Sequence, residues 1–163
     1  QLAGVALSPA LFAEMRKNPR VIGVKNSSMP VQDIQMFKQD AGEDYIIFNG
    51  PDEQFISGRL IGAGAGIGGT YGAMPELFLK LNELFEAKEL EKAREIQYTI
   101  NEVIYKMGCA HGNMYAGIKE ILRINEDLNI GGVRPPLTDL VEADKEIAKQ
   151  AAAMIASAKK LYL

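Results

Sequence analysis

Cysteine occurs once in this chain, as Cys109, and histidine once, as His111. A single cysteine excludes an internal disulfide framework and fits a reducing cytosol, which is the expected location. Cys109 and His111 are too few ligands for zinc and have no partner cluster, so both read as structural and no metal site is expected. Positive charge is not in excess: the formal net charge is −3, and no cluster of Lys and Arg offers a footprint for nucleic acid. Long apolar runs are missing too. A stretch such as Ala151 to Ala156 is far too short to span a bilayer, so no membrane partner is expected. No signal-peptide pattern is present. The first residue is Gln1 rather than Met, as expected of a processed or cut product.

What is present suits a soluble globular protein. Hydrophobic residues make up 47% and charged residues 24% of the 163 positions, enough for one ordinary domain with a real core. Ser8 followed by Pro9 predicts an N-capped helix running to Lys17. Arg20 to Lys25 is a short run with β-branched residues and no alternation, which predicts a parallel strand buried on both faces. Pro30 opens a helix to about Gln39 with Ile34 and Phe37 inward. Tyr45 to Phe48 predicts a second buried strand, closed by Asn49-Gly50-Pro51. A third helix is expected over Asp52 to Arg59, and a glycine-rich third strand over Leu60 to Gly68. Pro75 starts a helix to about Glu86, with Leu77, Phe78, Leu81, Leu84 and Phe85 along one face.

Beyond that point the pattern is helical only. Ala93, Ile96, Ile100, Val103 and Met107 recur every three or four residues. Further helices are expected from Met114 to Ile124 and from Glu142 to Leu161. Asn129 to Pro136 reads as a loop by its glycines and prolines. Strands alternating with helices imply a parallel sheet. Three such strands cover neither both faces nor both edges, so the chain reads as incomplete.

Three features could carry chemistry. Lys25 ends an apolar strand, where an ammonium group has no obvious reason to be. At the carboxyl end of a strand in a (β/α)8 barrel, a desolvated lysine can supply a neutral amine to a ketone; from spacing alone a strand-end lysine that simply reaches solvent is the favoured reading, since such lysines are common. Gly64 to Gly69 formally matches the G-x-G-x-x-G dinucleotide fingerprint. That fingerprint should lead straight into a helix, and Thr70 to Pro75 follows instead, so close approach of backbone to a ligand or a neighbouring strand explains the glycines better. Asp52 and Glu53 follow a strand and a Gly-Pro turn. They serve either as acidic residues complementing a helix N-terminus or as acceptors for a polyhydroxylated substrate.

Three segments, Gly23-Val24-Lys25-Asn26-Ser27-Ser28, Phe48-Asn49-Gly50-Pro51-Asp52-Glu53 and Gly64-Ala65-Gly66-Ile67-Gly68-Gly69-Thr70-Tyr71, occur in the order and spacing of one family. They resemble the N-acetylneuraminate lyase and dihydrodipicolinate synthase family of pyruvate-dependent class I aldolases. Gly131 to Leu137 resembles that family's C-terminal loop, so the likeness covers essentially the whole chain.

The resemblance implies an α/β fold: strands six to eight of a (β/α)8 barrel over residues 1–88, then a helical extension over 89–163. It implies that the first five strands belong to a missing N-terminal half, together with the family's carboxylate-binding Ser/Thr pair and its proton-transferring tyrosine. Lys25 would be the Schiff-base lysine. Ser27, Gly50, Asp52, Glu53, Ile67 and Gly69 fall at positions that line the substrate site, with the acidic pair on hydroxyls of a sugar tail. No metal or organic cofactor is implied, the substrate is a 2-oxo acid or sugar acid, and a homo-oligomer is expected.

Asp52-Glu53 favours a sugar acid, and hence sialic acid cleavage to N-acetylmannosamine and pyruvate. Gly69 stands where many sialic acid lyases carry serine, which keeps another 2-oxo acid aldolase or dehydratase of the family as the alternative. A catalytically silent half-barrel and a nucleotide-binding module are the readings from other classes.

Overall fold

A computed structural model of the chain describes residues 4–163, so Gln1 lies outside the described residues. These residues form three strands and seven α-helices in two compact units, the first ending at Gly68 and the second spanning Gly69–Leu163.

The first unit opens with α1 (Pro9–Met15), whose N-cap is Ser8: its Oγ accepts from the Leu11 N–H at 3.2 Å, as the Ser-Pro signal predicts. Strand β1 (Gly23–Asn26) leads to α2 (Val31–Ala41), then β2 (Ile46–Asn49), a 3-10 turn at Asp52–Gln54, α3 (Phe55–Leu60) and β3 (Ala65–Gly66). The sheet is parallel in the order β1-β2-β3, with a helix in each crossover as parallel pairing demands.

Successive strand residues point to opposite faces. Val24 and its register partner Ile47 face the helices, where Ile47, Phe12, Ile34, Phe37 and Ala63 form the buried core. The Phe12 ring meets Phe37 edge-on at 5.0 Å and Tyr45 at 6.3 Å. The Arg16 guanidinium caps this cluster, 5.4 Å from the Phe12 centroid and 5.7 Å from that of Tyr45.

The structure departs from the expected strands in three ways. Residues 20–22 are not strand: the Val21 N–H turns back to the Asn18 carbonyl, and ladder pairing starts at Gly23. Burial on both faces fails, because Lys25 and Ile46, on the side away from the helices, are exposed, Ile46 by 45%. The third strand shrinks to two residues. Leu60 belongs to α3, and Gly62, at φ +112°, breaks the chain where only glycine is at ease.

The second unit holds α4 (Pro75–Glu86), α5 (Leu90–Met107), α6 (Met114–Glu126) and α7 (Asp144–Tyr162). Ala93, Ile96, Ile100, Val103 and Met107 are all buried along α5, as their spacing predicts. On α4 Leu77, Phe78, Leu81 and Leu84 are buried, and Phe85 is half-buried. Lys159 of α7 ties two neighbours together, reaching Glu76 of α4 at 2.8 Å and Glu126 of α6 at 3.2 Å.

Asp144, the first residue of α7, is fully buried. Its carboxylate accepts from the backbone N–H groups of His111 (2.9 Å), Gly112 (2.9 Å) and Val141 (3.0 Å), and lies 3.0 Å from His111 Nδ1. The His111 backbone donor, followed by the other donors, holds this carboxyl well below the usual carboxylate range despite its burial. His111 is thereby accounted for as a structural residue.

Phe12→Ala empties the centre of the first unit's core, and urea denaturation should show a loss of about 3–5 kcal/mol. Because the folded-state pKa of Asp144 is depressed, its contribution to stability is present above about pH 4 and is lost as pH falls from there towards the folded-state pKa. Asp144→Asn should therefore lower Tm at pH 7, and the gap from the unsubstituted protein should close as pH is lowered from about 4. A gap independent of pH would contradict the assignment.

Candidate active site

The carboxyl ends of β1, β2 and β3 gather most of the residues singled out in the sequence. Register places Lys25 opposite Phe48 and Phe48 opposite Ala65, so all three share the face away from the helices. Lys25 is exposed among the described residues. Three strands leave that face open, which is why the shielding expected of a closed barrel is not supplied by them.

One residue further on, the backbone closes tightly. The Gly50 N–H donates to the Asn26 carbonyl at 2.8 Å. A Cβ on Gly50 would fall 2.4 Å from that oxygen and 2.8 Å from Ser27 Oγ. Gly50 is thus required by close strand-end approach, and it sits directly against Ser27.

Asp52 is buried, 6% exposed, in the 3-10 turn, and Glu53 beside it is half-buried. A Cβ on Gly68 would fall 1.4 Å from Asp52 Oδ1. The missing side chain of Gly68 therefore makes the space that the Asp52 carboxylate fills, and it couples the end of β2 to the segment after β3. Ile67 is exposed, and its N–H continues the ladder to the Asn49 carbonyl at 2.9 Å.

Gly69 belongs to the second unit. There a Cβ on Gly69 would lie 2.9 Å from the Tyr115 ring, so the absence of a side chain gives that ring its place. Tyr115 carries no sequence signal beyond its position in the first turn of α6.

The glycine-rich segment does not open a helix. Gly66 ends β3, a 3-10 turn occupies Thr70–Gly72, and α4 begins only at Pro75, which removes the geometry a dinucleotide pyrophosphate needs.

Elsewhere, α6 and the loop over 129–140 enclose a cleft of about 320 Å³ that includes Lys119, Arg123 and Asp139. Its polar groups already have partners: Lys119 donates to the Gly132 carbonyl, Arg123 pairs with Glu120, and Asp139 accepts from the Val133 N–H. Among the described residues no group of three His, Cys, Asp or Glu is placed to hold a metal ion, and no helix is long and apolar enough to cross a membrane.

The model of the dihydrodipicolinate synthetase family matches residues 1–156. The chain belongs to that family. Among family members, the N-acetylneuraminate lyase of Mediterraneibacter gnavus is 70% identical over 163 residues, all of this chain and 52% of the relative. A catalytic lysine mutant of the Ruminococcus gnavus sialic acid aldolase superposes with a TM-score of 0.97 at 69% identity, covering 99% of this chain and 53% of that one. The N-acetylneuraminate lyase of Fusobacterium nucleatum complexed with pyruvate gives a TM-score of 0.83 at 28% identity, over 100% and 52% of the two chains. The chain thus spans about half the length of the family relatives it matches.

Sequence reasoning missed Asn26, Asn49, Ser28 and Asp33, which form a polar layer under the strand ends. The available signal was an asparagine closing two successive apolar strands, each on the face opposite its neighbours Lys25 and Phe48.

Gly50→Ala drives a methyl group into backbone that cannot swing aside, and should cost about 1–3 kcal/mol. Thermal denaturation checks this, and an unchanged Tm would show that the strand ends are looser than described.

Proposed function

We propose that this chain carries the Schiff-base half of a class I pyruvate aldolase that cleaves N-acetylneuraminate to N-acetylmannosamine and pyruvate. The observation that carries the reading is Lys25 at the carboxyl end of a parallel strand. Ser27 and Gly50 meet at the adjoining strand ends, and Lys25 lies on the sheet face opposite the helices of the first unit. Family membership and the 70% identity to an N-acetylneuraminate lyase support it.

In this reading the Lys25 amine attacks the keto carbon of the open-chain sugar acid, and water leaves as the imine forms. The protonated imine draws the electron pair of the bond beyond the adjacent carbon, which breaks as the hydroxyl on the far carbon gives its proton to the proton-transfer group of the preceding segment and becomes the aldehyde of N-acetylmannosamine. The pyruvate enamine left on Lys25 takes a proton, and hydrolysis returns the amine. Ser27, Gly50 through its backbone, Ile67 and Gly69 line the substrate, and Asp52 and Glu53 accept hydrogen bonds from hydroxyls of the sugar tail. Such acceptors discriminate well, because a substrate without the hydroxyls leaves them unpaired.

The architecture proposed with this function is strands six to eight of a (β/α)8 barrel over residues 1–88 and a helical extension over 89–163. Five preceding strands complete the ring and supply the carboxylate-binding and proton-transfer groups, the complete protein assembling as a cytoplasmic homo-oligomer. The coverage of about half of each relative supports a missing N-terminal partner segment. The second reading, another 2-oxo acid aldolase or dehydratase of the family, is favoured by one observation: the Tyr115 ring occupies the space that a side chain at position 69 would need.

The test is a single polypeptide in which the N-terminal half of the Mediterraneibacter gnavus lyase precedes this chain. Treated with pyruvate and borohydride, it should gain a reduced pyruvyl group that maps to Lys25 by mass spectrometry, and Lys25→Arg should abolish both adduct and sialic acid cleavage. An adduct without sialic acid cleavage selects the second reading. No adduct at all points to a silent fragment.

A further inference from the structure

The polar layer beneath Lys25 is a buried cluster of the first unit that the chemistry above leaves unused. Asn26 and Asn49 are register partners, 6% and 0% exposed. Asn49 is closed in by α3, where a Cβ on Gly58 would fall 2.4 Å from its Oδ1, and its Nδ2 donates to the Pro51 carbonyl at 2.7 Å. Asn26 Oδ1 lies 2.9 Å from Ser28 Oγ and 3.4 Å from the Ser28 backbone nitrogen. Ser28 Oγ in turn lies 2.5 Å from Asp33 Oδ2, in the first turn of α2. One amide atom of each asparagine, Asn26 Nδ2 and Asn49 Oδ1, is buried without a hydrogen-bond partner in the structure.

Two asparagines are a poor way to fill this layer. The strands already use Val24 and Ile47 one step earlier, and a β-branched pair would fill the next step without stranding polar atoms. Their polarity therefore serves position rather than packing. Lys25 needs such help. None of the hydrogen bonds or ion pairs found among the described residues holds its ammonium group, so the one constraint on it is the backbone, which sets the face from which the side chain starts. In a strand the dihedrals that send Asn26 into the helix-side layer also send Lys25 to the other face.

We infer that Asn26, Ser28 and Asp33 form a brace that fixes the backbone from which Lys25 projects, the single Ser28 hydroxyl proton being shared between Asn26 Oδ1 and Asp33 Oδ2, with Asn49 filling the same layer on the second strand as the register partner of Asn26. These are positioning residues: they act through the backbone of β1 and touch no reacting atom. The inference rests on the reading of Lys25 as the Schiff-base lysine. An amine that must meet a ketone carbon along one direction loses rate steeply when displaced, about 100-fold for 1 Å.

The test uses the joined polypeptide described above and follows the rate of pyruvate trapping at Lys25 against pyruvate concentration. Asn26→Ala and Ser28→Ala should each slow trapping at saturation about 10- to 100-fold, while the pyruvate concentration giving half the maximal rate stays within about twofold. Ser28→Thr, which keeps the hydroxyl, should restore the rate. The double alanine variant should be no slower than the slower single variant, because one brace is being cut twice. A merely structural role would lower Tm without this split, and Ser28→Thr keeps the test decisive if Asn26→Ala fails to fold. Alanine variants that trap at the unsubstituted rate overturn the brace and leave Lys25 standing. If the unsubstituted protein forms no adduct, the reading of Lys25 falls and the brace with it.

Discussion

Parallel register between β1 and β2 is the constraint on which the first unit depends. With Val24 fixed opposite Ile47 and Lys25 opposite Phe48, one face of the sheet becomes core and the other presents the lysine. A slip of one residue would exchange the two: Lys25 would enter the cluster around Phe12 and Ile34, and Val24 would face the open side. Burying an unpaired ammonium group in that cluster is prohibitive, so the same hydrophobic energy that folds the unit also selects which side presents the lysine.

The glycines at the strand ends express the same constraint at shorter range. Gly50 lets β2 close against Asn26 and Ser27, and Gly68 makes room for the Asp52 carboxylate. Neither is at a positive φ. Their value lies in the side chain they lack, which differs from Gly62, where the backbone itself must turn left-handed.

Much of this was legible in the sequence, for reasons that can be named. The helix Pro75–Glu86 and the buried face of Leu90–Met107 follow from proline placement and 3.6-residue spacing, signals carried by contiguous residues. The α/β character of the first unit and the candidate lysine followed from short apolar runs joined by helices. The third strand was overextended because a glycine-rich run resembles a buried strand in composition, whereas Gly62 ends α3 and only Ala65–Gly66 pair. The layer of Asn26, Ser28 and Asp33 was signalled only by an asparagine closing each of two apolar strands. The anchor at Asp144 was invisible, because it rests on polar contacts between separated positions, Asp144 and His111 lying 33 residues apart, and no periodicity announces those.

The sheet also has a colloidal side. Among the described residues neither β1 nor β3 has a strand on its outer flank, and Ile22 and Ile46 lie exposed close by. Unsatisfied backbone beside exposed isoleucine is the template on which foreign strands add. The four-residue length of β1 and the charge of Lys25 on it limit how far such growth can propagate. The residue proposed to meet a substrate thus also serves as a gatekeeper against strand addition at this edge.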